Sequence, residues 1–364
     1  MIKKFIDIFV PIHVCNMQCS YCYVSQYDKK YHREKDYKVQ FNYSPEQVKK
    51  ALSSERLGGI CHFNVCGNGE TLIPEQLVEY IRVILENGHS VMIVTNGVLT
   101  DRIKKYLEFP QDLRRRLGFK MSFHYLELKN KNLLKTYFDN IKLIKEAGCS
   151  FSVELTSNDE YEPYIDEIKK VCMKELGALC HLSVPRDEPE DKIPLLSKHT
   201  LAEYNEIWKG FDSAMFDNKI RYWGEKRKEY CHAGEYSALL HLGTGNMRPC
   251  YMVHGMNQNI FENPDKPIVW CPVGRCKIAH CFNAHSFLAF GNIPELEFCT
   301  YEEIRDRVGK DGKHWITDEM REHFSCKLHN AHDKLSTAKK VKYSFTRFGF
   351  KLKALKRKIF RKKK

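Results

Sequence analysis

Residues 14–23 read Val14-Cys15-Asn16-Met17-Gln18-Cys19-Ser20-Tyr21-Cys22-Tyr23, which puts three thiols within eight residues. They directly follow an apolar, strand-like run at 5–12. The Cys-x3-Cys-x2-Cys step can wrap three thiolates around one corner of an iron–sulfur cluster. With no fourth cysteine nearby, one iron is left without a protein ligand. Such an iron is a place for chemistry, whereas a fully ligated cluster mainly carries electrons. A zinc knuckle is the alternative, but zinc sites use paired Cys-x2-Cys steps and four ligands, and this run supplies neither.

Outward from this run, strand and helix patterns alternate. A polar, tyrosine-rich linker is expected over 24–41. A helix then opens at Ser44, which can cap it, with Pro45 at the first helical position and Gln47 completing a capping box. A strand at 61–66 ends in Gly67-Asn68-Gly69-Glu70. The helix opened by Pro74 carries Leu77, Tyr80, Ile81, Ile84 and Leu85 on one face. Strands follow at 90–94, 117–123, 150–155 and 178–184, and helices at 133–147 and 164–176. The 90–94 strand closes on Thr95-Asn96-Gly97. Six strands alternating with helices predict an α/β fold with a parallel sheet and right-handed crossovers. The expected architecture is a partial (β/α)6 TIM-like barrel, followed by a small cysteine-rich domain and a basic tail. Its parts are residues 1–212, 213–330 and 331–364. The notable residues fall where strands end, the rim on which parallel α/β folds collect reactive groups.

At 364 residues the chain can bury a large core. Its fifteen cysteines come with no secretory segment, because the apolar part of the N-terminal run is short and is broken by Asp7. The cysteines therefore read as metal ligands and core thiols in a reducing cytoplasm. The net charge of +13 has a local origin: residues 339–364 hold thirteen Lys or Arg and no acid. Removing those thirteen from 59 leaves 46 basic residues against 46 acidic ones. The basicity belongs to the tail and says nothing about a cleft.

The cysteine run with its aromatic Tyr21, the Gly67–Glu70 motif and the strand–helix alternation together resemble the radical S-adenosylmethionine (radical SAM) superfamily over roughly residues 5–190. The resemblance implies that Cys15, Cys19 and Cys22 hold a [4Fe–4S] cluster. S-adenosylmethionine chelates its open iron and is reductively cleaved there, giving a 5′-deoxyadenosyl radical that abstracts hydrogen. A reductant such as flavodoxin or ferredoxin is implied. The family's Gly-Gly-Glu-Pro motif corresponds here to Asn68, Gly69, Glu70 and Thr71, preceded by Gly67, with Asn68 and Thr71 departing from it. Gly69 permits close backbone approach, and Glu70 can accept a hydrogen bond from the S-adenosylmethionine ammonium. Tyr21 is expected to set backbone groups against the adenine, and Thr95 and Asn96 resemble the family's third-strand ending. Ser122, His124 and Glu154 lie where family members contact ribose or substrate. Of these, His124 is the residue whose pKa is easiest to place near neutrality for moving a proton.

A second set of cysteines runs through Cys231, Cys250, Cys271, Cys276 and Cys281. The spacing Cys231-x13-Gly245-x4-Cys250 resembles the opening of the SPASM or twitch extension, in which the glycine turns a hairpin. That resemblance implies an auxiliary [4Fe–4S] cluster. Its expected ligands are Cys231 and Cys250, then Cys276 and Cys281, with Cys271 competing. A four-thiolate zinc site is the alternative. The same resemblance implies a peptide or carbohydrate-like substrate. In the tail, Phe345, Phe348, Leu352, Leu355 and Ile359 form one apolar stripe among lysines and arginines. That pattern reads as a peripheral anchor on anionic lipid at the inner membrane face, as a disordered tail, or as a polyanion binder. The body shows no aromatic-rich RNA motif, which ranks nucleic acid last. Two further readings stay open: a non-catalytic iron–sulfur or zinc protein for electron transfer or binding, and an RNA-modifying radical enzyme.

Overall fold

The computed structural model describes residues 1–31, 39–281, 284–328 and 335–361. Six parallel strands carry the N-terminal half: β1 (Lys4–Val10), β2 (Cys61–Gly67), β3 (Ser90–Thr95), β4 (Leu117–Ser122), β5 (Ser150–Thr156) and β6 (His181–Ser183). Further along the chain come β7 (Tyr230–Cys231), β8 (Ser237–His241), β9 (Asn246–Arg248), β10 (Gln258–Asn259) and β11 (Gly274–Arg275). Nine strands form one sheet in the order β10-β9-β8-β1-β2-β3-β4-β5-β6, while β11 and β7 make a separate antiparallel ladder. The sheet does not close, so the barrel is partial.

Alternation along each strand explains the two layers. One face carries Ile6, Ile8, Val10, Phe63, Val65, Val91, Ile93, Phe119, Met121, Phe151 and Val153, all buried against helices such as Leu77–Glu86 and Leu134–Glu146. A parallel sheet is normally covered on both faces, and here the later chain supplies the second cover. Phe287, Phe290, Tyr301 and Phe324 pack with Phe5 and Met92 in one buried cluster. Phe5 and Phe290 stack with their ring centroids 4.9 Å apart. The segment set apart in the sequence as 213–330 therefore adds strands to the same sheet, since β8 lies parallel to β1, and closes its second face.

Local signals act as their chemistry requires. Ser44 and Gln47 form the capping box of helix Pro45–Ala51, and Thr200 with Glu203 forms another for Leu201–Trp208. The expected linker at 24–41 differs. Helix Tyr23–Tyr31 begins directly after Cys22, and residues 32–38 lie outside the described part. Its sequence is polar and weakly helical by itself. Tertiary bonds hold it, with the Gln26 amide donating to the Arg186 carbonyl at 3.2 Å and the Gln26 Oε1 accepting from the Glu188 N–H at 3.2 Å.

Candidate metal centre

The loop bearing Cys15, Cys19 and Cys22 runs from the carboxyl end of β1 into helix Tyr23–Tyr31. All fifteen cysteines are free thiols, Cys15 being exposed and Cys19 and Cys22 half-buried. The end of β2 packs against the loop's backbone. The Glu70 N–H donates to the Val14 carbonyl at 2.8 Å, and a Cβ on Gly69 would stand 2.0 Å from that oxygen. No side chain fits at Gly69 without moving the cysteine loop. The Asn96 amide donates to Asn16 Oδ1 at 2.6 Å and reaches Cys15 Sγ at 3.9 Å. The Met17 N–H also points at that sulfur, at 3.4 Å. Donors of this kind tune a bound thiolate. Burial, then the neighbouring Cys22, pushes the Cys19 thiol up to about 12, and burial raises Cys15 as well. These thiols are protonated at neutral pH and must lose protons to a metal.

Among the described residues, no three cysteine sulfurs lie within 4.8 Å of one another. Ligands sharing one zinc, at Zn–S of about 2.3 Å, would have to. A cubane takes each thiolate on a different iron, and three free thiols on one loop supply a donor set of that chemistry. The residues that do converge within 4.8 Å are Asp159, Glu162 and His199. They are already engaged, Asp159 by the Ser197 hydroxyl and Lys198 N–H and Glu162 by His199.

Glu70 works inside this frame. Its carboxylate is buried and accepts from the Thr95 hydroxyl at 2.6 Å, the Leu72 N–H at 3.0 Å and the Asn96 N–H at 2.8 Å. Burial raises its pKa, opposed by these donors. These bonds brace the ends of β2 and β3 against each other. Thr71, where the family pattern has proline, accepts the Gly67 N–H at 3.1 Å. Tyr21 is buried. Its hydroxyl shares hydrogen bonds with His124 Nδ1 at 2.7 Å and the Tyr161 hydroxyl at 3.1 Å. Burial lowers the His124 pKa to about 4, which favours the neutral imidazole, with one basic ring nitrogen, at pH 7.

In the second set, β7 brings Cys231 beside Gly274 of β11. Gly245 adopts φ +70° at the turn between β8 and β9, after which comes Cys250. Burial raises the Cys231 thiol to about 12 and Cys250 to about 11, with Cys276 adding to both. Cys281 is raised by burial and then by Cys231, Cys250 and Cys276. These four thiols therefore lie within electrostatic range of one another. Cys271 stands apart. Its thiol points at the Tyr343 carbonyl at 3.7 Å, and it packs with Met256 and Phe350. Cys299 and Cys326 flank Lys327 instead.

Residues 9–171 match the family model of the Radical SAM superfamily. That match covers the part of the chain that carries the end of β1, the three-cysteine loop and strands β2 to β5. Among solved structures it resembles Streptococcus suis SuiB bound to S-adenosylmethionine, at 13% identity and TM-score 0.50, covering 71% of this chain and 64% of that one. It also resembles native anSMEcpe with bound AdoMet, at 14% identity and TM-score 0.52, covering 72% and 79% of the two chains. A second anSMEcpe structure, with AdoMet and a Cp18Cys peptide, matches at 14% identity and TM-score 0.50 over 72% and 79%. At these identities the likeness is one of fold. The chain spans less than two thirds of SuiB's length. No curated protein matches it.

The sheet face opposite the helix layer holds residues that the sequence reading did not join. Asp7 on β1 accepts from the Asn64 amide of β2 at 2.8 Å and from the Tyr251 hydroxyl at 2.5 Å. Burial raises its pKa. Lys120 on β4 lies 3.4 Å from Asn64 Oδ1 and 3.6 Å from Glu154 Oε1. Arg305 is 0% exposed, pairs with Glu154 and sits 4.8 Å over the Tyr301 ring. Burial pushes the Glu154 carboxyl up, but Arg305 and Lys120 outweigh it and hold it below the usual range. Ser122 lies directly opposite Glu154 in the β4–β5 register. Lys219, on helix Ala214–Arg221, is brought down to about 7 by burial and then by Arg186, with Arg305 and Lys120 adding to it. One signal in the sequence could have found the strand residues: Asp7, Asn64, Lys120 and Glu154 each interrupt an otherwise apolar strand at an inward position.

Proposed function

We propose that this radical SAM chain binds a [4Fe–4S] cluster through Cys15, Cys19 and Cys22 and takes hydrogen from a peptide or carbohydrate-like substrate. The outcome is an oxidation or modification assisted by a second [4Fe–4S] cluster on Cys231, Cys250, Cys276 and Cys281. The observation that carries this reading is the trio of free thiols on the sheet rim, braced by Glu70 and Asn96, above a polar inner face. When bound, the first cluster supplies the electron that cleaves S-adenosylmethionine to the hydrogen-abstracting 5′-deoxyadenosyl radical. Gly69 lets backbone approach closely at that rim, and Asn96 fixes Asn16 beside Cys15. Glu154, kept ionised by Arg305 and Lys120, can accept a hydrogen bond from a substrate hydroxyl or amide. Arg305, fully buried beside Glu154, holds that carboxylate in its charged form. Lys219 can hold or release a proton near neutrality. The packed cluster around Phe290 and Tyr301 shields the inner face from water. The peptide-bound anSMEcpe neighbour supports a peptide substrate.

Iron and sulfide counting with electron paramagnetic resonance tests the two-cluster part. The anaerobically reconstituted protein is expected to hold about eight irons per chain, and Cys231→Ala about four, on a cubane at each site. One tightly held zinc and about four irons would replace the auxiliary cluster with a structural zinc.

A further inference from the structure

Helix Thr337–Arg361 runs for 25 residues and presents two opposite apolar faces. One is docked on the body. The Tyr343 hydroxyl donates to Glu235 Oε1 at 2.6 Å, Arg347 donates to the Pro272 carbonyl at 3.1 Å, and Phe350 is buried with Met256 and Cys271. The other face points away from the protein. Val341, Phe345, Phe348, Leu352 and Leu355 are 50%, 73%, 59%, 45% and 55% exposed. At 100° per residue they form one stripe opposite Tyr343, Arg347 and Phe350. The Ile359 side chain lies outside the described residues. Lys342 and Lys353 border the stripe on one side, Lys340 and Lys351 on the other. The helix contains no acid.

We propose that this outward face seats on an anionic lipid bilayer, with the stripe in the acyl boundary and the flanking lysines among the headgroups. The helix then lies in the membrane plane and the body rests on it through the docked face. The chemistry favours lipid over the other occupants. A nucleic acid is bound by charge, whereas here the centre of the face is large apolar side chains, whose burial drives partition. A second copy would bring lysine rows of like sign together along the whole helix. No helix among the described residues is long and apolar enough to cross a membrane, so the helix lies on the surface. The face is docked beside Glu235, which bonds His232 at 2.8 Å, next to Cys231. The cysteine-rich region would thus sit against the bilayer. This inference does not depend on the proposed reaction.

Co-sedimentation of the full chain with vesicles tests it. Vesicles containing phosphatidylglycerol should capture the protein, pure phosphatidylcholine should not, and capture should weaken as salt rises from about 0.05 M to about 0.5 M. Phe348→Glu with Leu352→Glu should cut partition at least about tenfold. Phe348→Ser with Leu352→Ser, which adds no charge, should do likewise, with S-adenosylmethionine cleavage and melting temperature unchanged. Capture of both variants as well as the parent would overturn the proposal. So would equal binding to neutral vesicles, a stripe-dependent dimer without lipid, or binding confined to single-stranded RNA.

Discussion

At the scale of single residues, the site depends on side chains whose surroundings change what their type suggests. Glu70 is a buried brace with three donors aimed at its two oxygens. Glu70→Gln must turn an amide N–H toward one of those donors, at a cost of about 1–3 kcal/mol. Thermal melting should show that loss, and iron retention after gel filtration should fall with it. An unchanged melt would mean that the brace does not hold the rim. Lys219 is the second case. Its ammonium pKa is lowered from 10.5 to about 7, so the folded chain binds fewer protons than the unfolded one between those values. Stability therefore rises with pH across that window and falls as pH drops through it. Replacing the lysine removes a burial cost that is larger at low pH. Lys219→Met is expected to raise Tm more at pH 6 than at pH 9. An equal gain at both, or a loss at pH 6, would mean that Lys219 is charged and paired in the fold.

At the scale of elements, β1 to β6 were legible because parallel strands buried on both faces read as apolar runs bounded by turn residues. Gly67–Glu70 and Thr95–Gly97 end two of them. Helix Tyr23–Tyr31 was not legible, since its stability comes from residues 186 and 188, far along the chain. The inner face was hidden for the same reason: Arg305 is 151 residues from its partner Glu154, and no local pattern announces the pair. That pair joins β5 to the segment that covers the sheet. Removing one member of a buried ion pair leaves the other uncompensated, at about 3 kcal/mol or more. Arg305→Met should lower Tm by about 4 °C or more, and adding Glu154→Gln should recover part of the loss. A single variant as stable as the parent would show that the pair does not secure the cover. The choice among later cysteines also needed the fold. The β7–β11 ladder and the turn at Gly245 place Cys231 and Cys250 within electrostatic range of Cys276, while Cys271 packs with Phe350.

At the scale of the whole molecule, one open sheet and its C-terminal helix present three distinct surfaces. The carboxyl rim holds the three-thiol loop. The inner face, covered by residues 284–328, carries the buried ionisable side chains of Asp7, Lys120 and Arg305. The helix 337–361 turns an apolar stripe outward, beyond the second group of thiols. The family reading was available from three cysteines and a glycine motif, because that spacing has few other uses. The substrate was not, because the polar residues of the inner face come from distant strands and no local pattern joins them. The central claim is that Cys15, Cys19 and Cys22 support reductive cleavage of S-adenosylmethionine. Its most direct test is the 5′-deoxyadenosine formed when anaerobically reconstituted protein is given dithionite and S-adenosylmethionine. The account predicts product from the parent and none from Cys19→Ala. No product from a fully iron-loaded parent, or equal product from the variant, would contradict it.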